Sequence, residues 1–195
     1  KARLMQDMLE DGMKRPMDNT NRKELIWAAP HRSRFVVQTA GRKQLGRALT
    51  LQALHASELA FWPNATESML AVSQTLPNKP GTMTILESTA NGMGGEFYTR
   101  WVNAIEQQKE EPFTGYVPMF LPWHIFSEYQ IPFHPNSRDR LGQLSEEDEE
   151  LKSQGITEEQ INWRRMAIRD LCGGDVNTFM QEYPASWQEA FQVSG

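Results

Sequence analysis

Two short stretches of this chain hold residue types that could do chemistry. In "LHASELAFW" (54–62) an apolar run ends in Glu58. A carboxylate projecting from the C-terminal end of a rigid strand stands where α/β sheets bind ligands. It can orient and polarise a water for attack on a phosphate. Ser57, one residue earlier, falls where a Mg²⁺ shell would form. In "ILESTANG" (85–92) a second apolar run drops into a carboxylate, two hydroxyls, an amide and a glycine. The hydroxyl and amide groups of such a loop can sense a γ-phosphate or its attacking water and pass the signal into the following helix. Gly92, Gly94 and Gly95 permit tight backbone turns there. A third stretch, "GRKQLGRALT" (41–50), places Arg47 on a loop at the start of the strand that carries Glu58. A mobile arginine there could reach the γ-phosphate in a neighbouring subunit's site and stabilise transition-state charge.

Read singly, each has a plain alternative. The first is a strand ending in a surface glutamate. The second is a Ser/Thr/Asn turn that caps a helix. The third is a solvated loop arginine. Their order carries more weight: two buried strands, each ending in polar groups, one helix apart.

The elements needed to position these groups are legible as an alternation. Residues 1–14 have apolar positions at helical spacing (Leu4, Met5, Met8, Leu9, Met13), closed by Gly12 and Pro16. "ELIWAA" (24–29) and "RFVVQTA" (34–40) read as a hairpin-like strand pair. A buried strand is expected around Gln52–Ala56. A helix follows, opened by an Asn64–Glu67 capping box. "LPNKPG" (76–81) is a turn cluster, "TMTIL" (82–86) the next strand, and Phe97, Trp101, Ala104 and Ile105 mark a helix to about Gln108. "TGYVPMFLPW" (114–123) reads as a strand with prolines at its edges. Strands alternating with helices predict an α/β fold with a parallel sheet.

From about residue 126 the composition changes, and a boundary is expected near 125. "LSEEDEELKS" (144–153) reads as an exposed acidic helix. Thr157 and Gln160 form a second capping box before "INWRRMAIRDL" (161–171), which Gly173 and Gly174 end. "NTFMQEYPASWQEAF" (177–191) reads as two short helices broken at Pro184.

Bulk properties narrow the classes. The 195 residues are 39% hydrophobic and 23% charged, as in a globular protein with a real core. No apolar run approaches the ~20 residues of a membrane span. The single cysteine, Cys172, excludes an intrachain disulfide framework and a cysteine-based zinc site, and suits a reducing compartment. The net charge of −5 argues against a broad basic face for nucleic acid, although Arg32, Arg34, Arg42, Lys43 and Arg47 cluster locally. The chain opens on Lys1 without an initiator methionine and closes on "FQVSG", so it reads as a piece of something longer.

"LHASELAFWP" followed by "ILESTANGMGGEFYTRW" resembles the large terminase subunit of tailed bacteriophages, the motor that packages viral DNA. "FLPWHIFSEY", "ITEEQINWRRMAI" and "FMQEYPASWQEAFQVSG" are similar to that family's segment between ATPase core and nuclease. The resemblance runs from about residue 20 to the C-terminus. It implies a partial RecA-like P-loop NTPase core over 1–125 and a small helical linker or lid subdomain over 126–195. It implies that Glu58 is the catalytic glutamate of the Walker B element. Ser88, Thr89, Asn91 and Gly92 match the motif coupling hydrolysis to DNA movement. Arg47 falls at the intersubunit arginine finger, with Arg42 second. ATP and Mg²⁺ are the implied substrate and cofactor. The implied partners are double-stranded DNA, a portal protein, the small terminase subunit and further copies in a ring. The implied setting is the host bacterial cytoplasm, not the mature virion or a membrane.

Two departures stand beside the resemblance. The residue before the Walker B glutamate is commonly aspartate in that family and here is Ser57, which can hold a magnesium-bound water but with less charge than a carboxylate. No G-x-x-x-x-G-K-[S/T] loop is present, so this chain alone should lack most nucleotide affinity. The competing readings are another P-loop motor of helicase type and a non-enzymatic module docking to a portal or small subunit. His55 is expected to point away from Ala56 and to pack or hydrogen bond. His31, His124 and His134 show no metal spacing. Trp123, Phe126, Tyr129 and Phe133 form either a stacking surface or, more in keeping with such sets, linker packing.

Overall fold

The structure, a computed structural model, describes residues 2–30, 32–41, 50–112, 114–133 and 141–193. It is a mixed α/β arrangement. Helix α1 (Ala2–Asp7) precedes strands β1 (Met17–Thr20), β2 (Glu24–Trp27) and β3 (Arg34–Val36). These strands form an antiparallel sheet in the order β1-β2-β3. The expected pairing of "ELIWAA" with "RFVVQTA" is therefore present, with Leu25 opposite Phe35. Strand β1 was not expected, because "MDNT" has no apolar alternation; its pairing with β2 makes it a strand. Helix α1 is shorter than the predicted 1–14, and Leu4, Met5, Met8, Leu9 and Met13 are all exposed. Among the described residues, neither hydrophobic core includes them.

The second unit is built as strand–helix–strand. Strand β4 (Ala53–Ala56), helix α2 (Ala65–Ser73) and strand β5 (Met83–Leu86) follow in order, and β4 pairs with β5 in parallel. A parallel pair needs a crossover of this kind, because no tight turn can reverse the chain twice. Helix α3 (Gly95–Glu110) follows β5 and presents Phe97 and Ala104 to the core at seven-residue separation. Glu96 in its first turn pairs with Arg100 at 2.6 Å, four residues on. One face of the strand pair supplies Leu54, Ala56 and Leu86 to a core with Leu59, Met69, Ala90 and Phe97. On the other face Ala53, His55, Met83 and Ile85 are exposed. The expectation of a buried strand at 52–56 is thus corrected: only Ala56 is fully buried, since no layer covers the outer face among the described residues.

Two further expectations need correction. Asn64 does open α2, but its φ of 52° places it in the left-handed region and its side chain makes no cap hydrogen bond. A capping box requires extended backbone at that position. The stretch 114–123 is not a strand. From Tyr116 its burial alternates, with Tyr116, Pro118, Phe120 and Pro122 half-buried and Val117, Met119 and Leu121 exposed. The alternation of a strand is present, but no strand pairs with it among the described residues. Pro118 and Pro122 bring no N–H, and the Tyr116 carbonyl is met by the Gln108 side chain at 3.0 Å.

The last third contains α4 (Glu146–Ser153), α5 (Glu158–Met166) continuing as a π-helical turn (Ala167–Leu171), α6 (Val176–Glu182) and α7 (Trp187–Val193). The expected Thr157–Gln160 box forms: the Gln160 N–H donates to Thr157 Oγ1 at 3.2 Å, and the Thr157 N–H donates to Gln160 Oε1 at 3.0 Å. Gly173 and Gly174, at φ 63° and 85°, end the helix as expected. Trp123 and Tyr129 stack on Trp163 with ring centroids 5.4 and 4.5 Å away, so this part of the aromatic set is packing. Helix α4 is not wholly exposed: Leu151 and Asp148 are buried. Helix α7 returns to the core of the strand–helix–strand unit, where Phe191 sits 6.1 Å from Phe97 and 5.0 Å from Tyr98.

Candidate active site

The two stretches singled out from sequence meet. The parallel register sets Ala56 opposite Leu86, so the residues that follow, Ser57–Glu58 and Glu87–Ser88, leave the sheet side by side. The ladder runs on past the strands: the Glu87 N–H donates to the Ala56 carbonyl at 2.9 Å, and the Leu59 N–H donates to the Glu87 carbonyl at 3.2 Å. One strand ends Ser–Glu and the other Glu–Ser. The Ser57 hydroxyl donates to Glu87 Oε1 at 2.6 Å, and the Ser88 hydroxyl lies 3.4 Å from Glu58 Oε2. The pairs cross, each serine answering the other strand's glutamate.

Glu58 itself has φ 55° and ψ 42°. A left-handed conformation is common for glycine and tolerated by asparagine, but for glutamate it is uncommon and costs about 1–3 kcal/mol. It turns the chain sharply out of β4 into a short 3₁₀ turn, Leu59–Phe61, which Leu59 anchors in the core. The turn is held from outside as well. The Trp62 indole donates to the Ser57 carbonyl at 2.8 Å. The Ala60 N–H donates to Ser88 Oγ, and the Asn91 amide donates to the Ala60 carbonyl, both at 3.2 Å.

Of the expected loop residues, Ser88 and Asn91 therefore contact the Glu58 turn directly. Thr89 is exposed. Gly92 has φ 74°, which a side chain would resist, and lets the loop turn towards α3. His55 points away from buried Ala56, as expected. It is not packed: it is exposed, with Nε2 3.6 Å from Glu87 Oε1. Arg42, Arg47, His31 and His134 lie outside the described residues. Gly41, just before that basic stretch, abuts Pro63: a Cβ added to it would come within 2.7 Å of Pro63 Cγ.

Sequence reasoning missed Glu87 as a partner of Ser57: the inverted order Ser–Glu and Glu–Ser stands in the sequence, but only the register of the two strands makes the pairs cross. Among the described residues, no group of three or more His, Cys, Asp or Glu is placed to hold a metal ion. Magnesium seldom needs such a cage, since one or two carboxylates, waters and substrate phosphates suffice. The oxygen donors of Ser57, Glu58 and Glu87 suit that chemistry.

No family model matches this chain, and no curated protein matches it. Among the described residues, no helix is long and apolar enough to cross a membrane.

Proposed function

We propose that this chain is part of the large terminase subunit of a tailed bacteriophage, the ATPase that drives double-stranded DNA into a procapsid. The observation that carries the reading is the meeting of Glu58 with the Ser88–Asn91 loop at adjacent C-terminal ends of two parallel strands. That is where a nucleotide-hydrolysing sheet places its water-orienting carboxylate and the loop that senses it.

On this reading residues 1–125 belong to a RecA-like core and 126–195 to a linker subdomain. Glu58 orients the attacking water. Ser88 and Asn91 respond to the phosphate and, through Ala60, move with the turn that carries Glu58. Arg47 is the charge-stabilising arginine. Ser57 donates its hydrogen to Glu87, which leaves its oxygen lone pairs available to Mg²⁺ or a magnesium-bound water. Bound magnesium supplies neutralisation of phosphate charge. Portal, small subunit and ring partners, and the host cytoplasm, follow from the same reading.

The test is ATP turnover by the whole protein with linear duplex DNA. Loss of turnover in Glu58→Gln supports the motor. Unaltered turnover would sink the assignment of Glu58. Portal binding by a whole protein that has no phosphate-binding loop would favour the assembly module instead.

A further inference from the structure

Glu87 reaches across to the neighbouring strand and touches His55 of β4 and Ser57 just beyond its end. Its Oε1 accepts the Ser57 hydroxyl at 2.6 Å and lies 3.6 Å from His55 Nε2. Its own backbone is fixed in the ladder through Ala56 and Leu59. The crossed pairs at the strand ends are unequal. A hydroxyl-to-carboxylate bond of 2.6 Å has the length of a charge-assisted one, whereas 3.4 Å is at the outer limit for oxygen pairs. One glutamate is thus engaged and the other is loosely held. Both carboxylates are solvent-accessible, so burial does not choose between them.

We infer that Glu87 is a positioning residue: by holding Ser57 it fixes the peptide that precedes Glu58, and so aims the left-handed turn and leaves the Glu58 carboxylate as the one available to substrate water. The Ser57 carbonyl is held on its other side by the Trp62 indole at 2.8 Å. Ser57 is therefore clamped through both side chain and backbone, and Glu58 swings from a fixed point. The inference rests on the ATPase reading of the site. It also gives a reason for serine where the family commonly has aspartate. A second carboxylate at position 57 would face Glu87, and two like charges at this distance repel.

The test uses the whole protein, with kcat and KM for ATP measured beside thermal unfolding. Glu87→Ala should lower kcat about 10- to 100-fold, the scale of a small misplacement of a reacting group. KM should stay within about twofold. Glu87→Gln keeps an amide oxygen that can accept from Ser57 and should restore most of kcat. Ser57→Ala, which also removes the oxygen offered to magnesium, should be at least as slow as Glu87→Ala, and the double variant should be no worse than Ser57→Ala, because both changes remove the same serine–glutamate bond. An unchanged kcat in Glu87→Ala, or a Glu87→Gln variant as slow as Glu87→Ala, overturns the positioning role. Glu58→Gln serves as the control. If it loses turnover while Glu87→Ala does not, only this inference fails; if it turns over normally, the ATPase reading fails and this inference falls with it.

Discussion

The Asn91 side-chain amide donates to the Ala60 carbonyl across thirty-one residues of sequence, while the N–H of the same Ala60 donates to Ser88. One residue, two beyond Glu58, is therefore held at both ends of its backbone by the loop after the neighbouring strand. That loop cannot shift without either dragging the Glu58 turn or breaking both bonds.

Asn91→Ala is expected to uncouple the two. The lost hydrogen bond should cost about 0.5–1.5 kcal/mol of stability. The larger effect should be on function: basal ATP turnover of the whole protein falls little, while its stimulation by duplex DNA falls strongly. Asn91→Asp, which cannot donate, should behave the same way. DNA stimulation equal to wild type in both would contradict the coupling role.

The left-handed backbone at Glu58 predicts a trade of stability against activity. Glu58→Asn fits this conformation better, and should raise the thermal midpoint by an amount equivalent to about 0.5–1 kcal/mol. It should also abolish turnover. A lowered midpoint would mean that the strain is not relieved by that change and that the Glu58 side chain contributes to holding the turn.

The strand–helix–strand unit was legible because its signals are local. Short apolar runs flank a helix-length segment, and each run ends in polar residues within the same ten-residue window. The Thr157–Gln160 box was legible for the same reason. Helix α7 also begins with a box, in which Ser186 accepts from the Glu189 N–H and Glu189 accepts from the Ala185 and Ser186 N–H groups. Its residues lie within the sequence "SWQE", shortly after the helix-breaking Pro184. Non-local facts were not legible. Strand β1 exists only through its pairing with β2. The segment 116–122 has strand alternation without a paired neighbour among the described residues. The clamp between Ser57 and Glu87 depends on the register of two parallel strands, which no window of sequence contains. The Asn64 box failed because its pattern specifies residue types and not the backbone angle.

Acid should weaken the C-terminal helices through Asp148. Burial alone would raise its pKa. The Arg165 hydrogen bond at 2.5 Å, the Ser145 N–H and hydroxyl at 3.1 and 2.9 Å, and the charge of Arg165 together outweigh burial and hold the carboxyl below its ordinary range. A folded-state pKa below the unfolded value of about 3.9 means that the ionised form stabilises the fold above that pH. The contribution is lost as pH falls through the lowered folded value. Thermal midpoints followed by tryptophan fluorescence should drop below about pH 4. Asp148→Asn should be less stable at pH 7 by about 1–3 kcal/mol and should lose less on acidification. An acid profile identical to wild type would contradict the assignment.

Phe191 ties α7 to the core behind the candidate site. It is 5% exposed and contacts the rings of Phe97, Tyr98 and Trp101. Phe191→Ala should cost about 3–5 kcal/mol. Since Phe97 lies on the helix that follows the Ser88–Gly92 loop, hydrogen exchange should quicken at the start of α3 as well as in α7. Quickening confined to α7 would show that the packing does not reach the site.

Glu58 is the residue on which the proposed hydrolysis depends. The most direct measurement is steady-state ATP turnover by the whole protein with linear duplex DNA, comparing wild type, Glu58→Gln, Arg47→Ala and an equal mixture of the two variants. The expected result is loss of turnover in each variant alone and partial recovery on mixing, because an intact arginine from one subunit can serve an intact glutamate in another. Wild-type turnover in Glu58→Gln would contradict the account, and would leave the crossed serine–glutamate pairs as turn and surface chemistry.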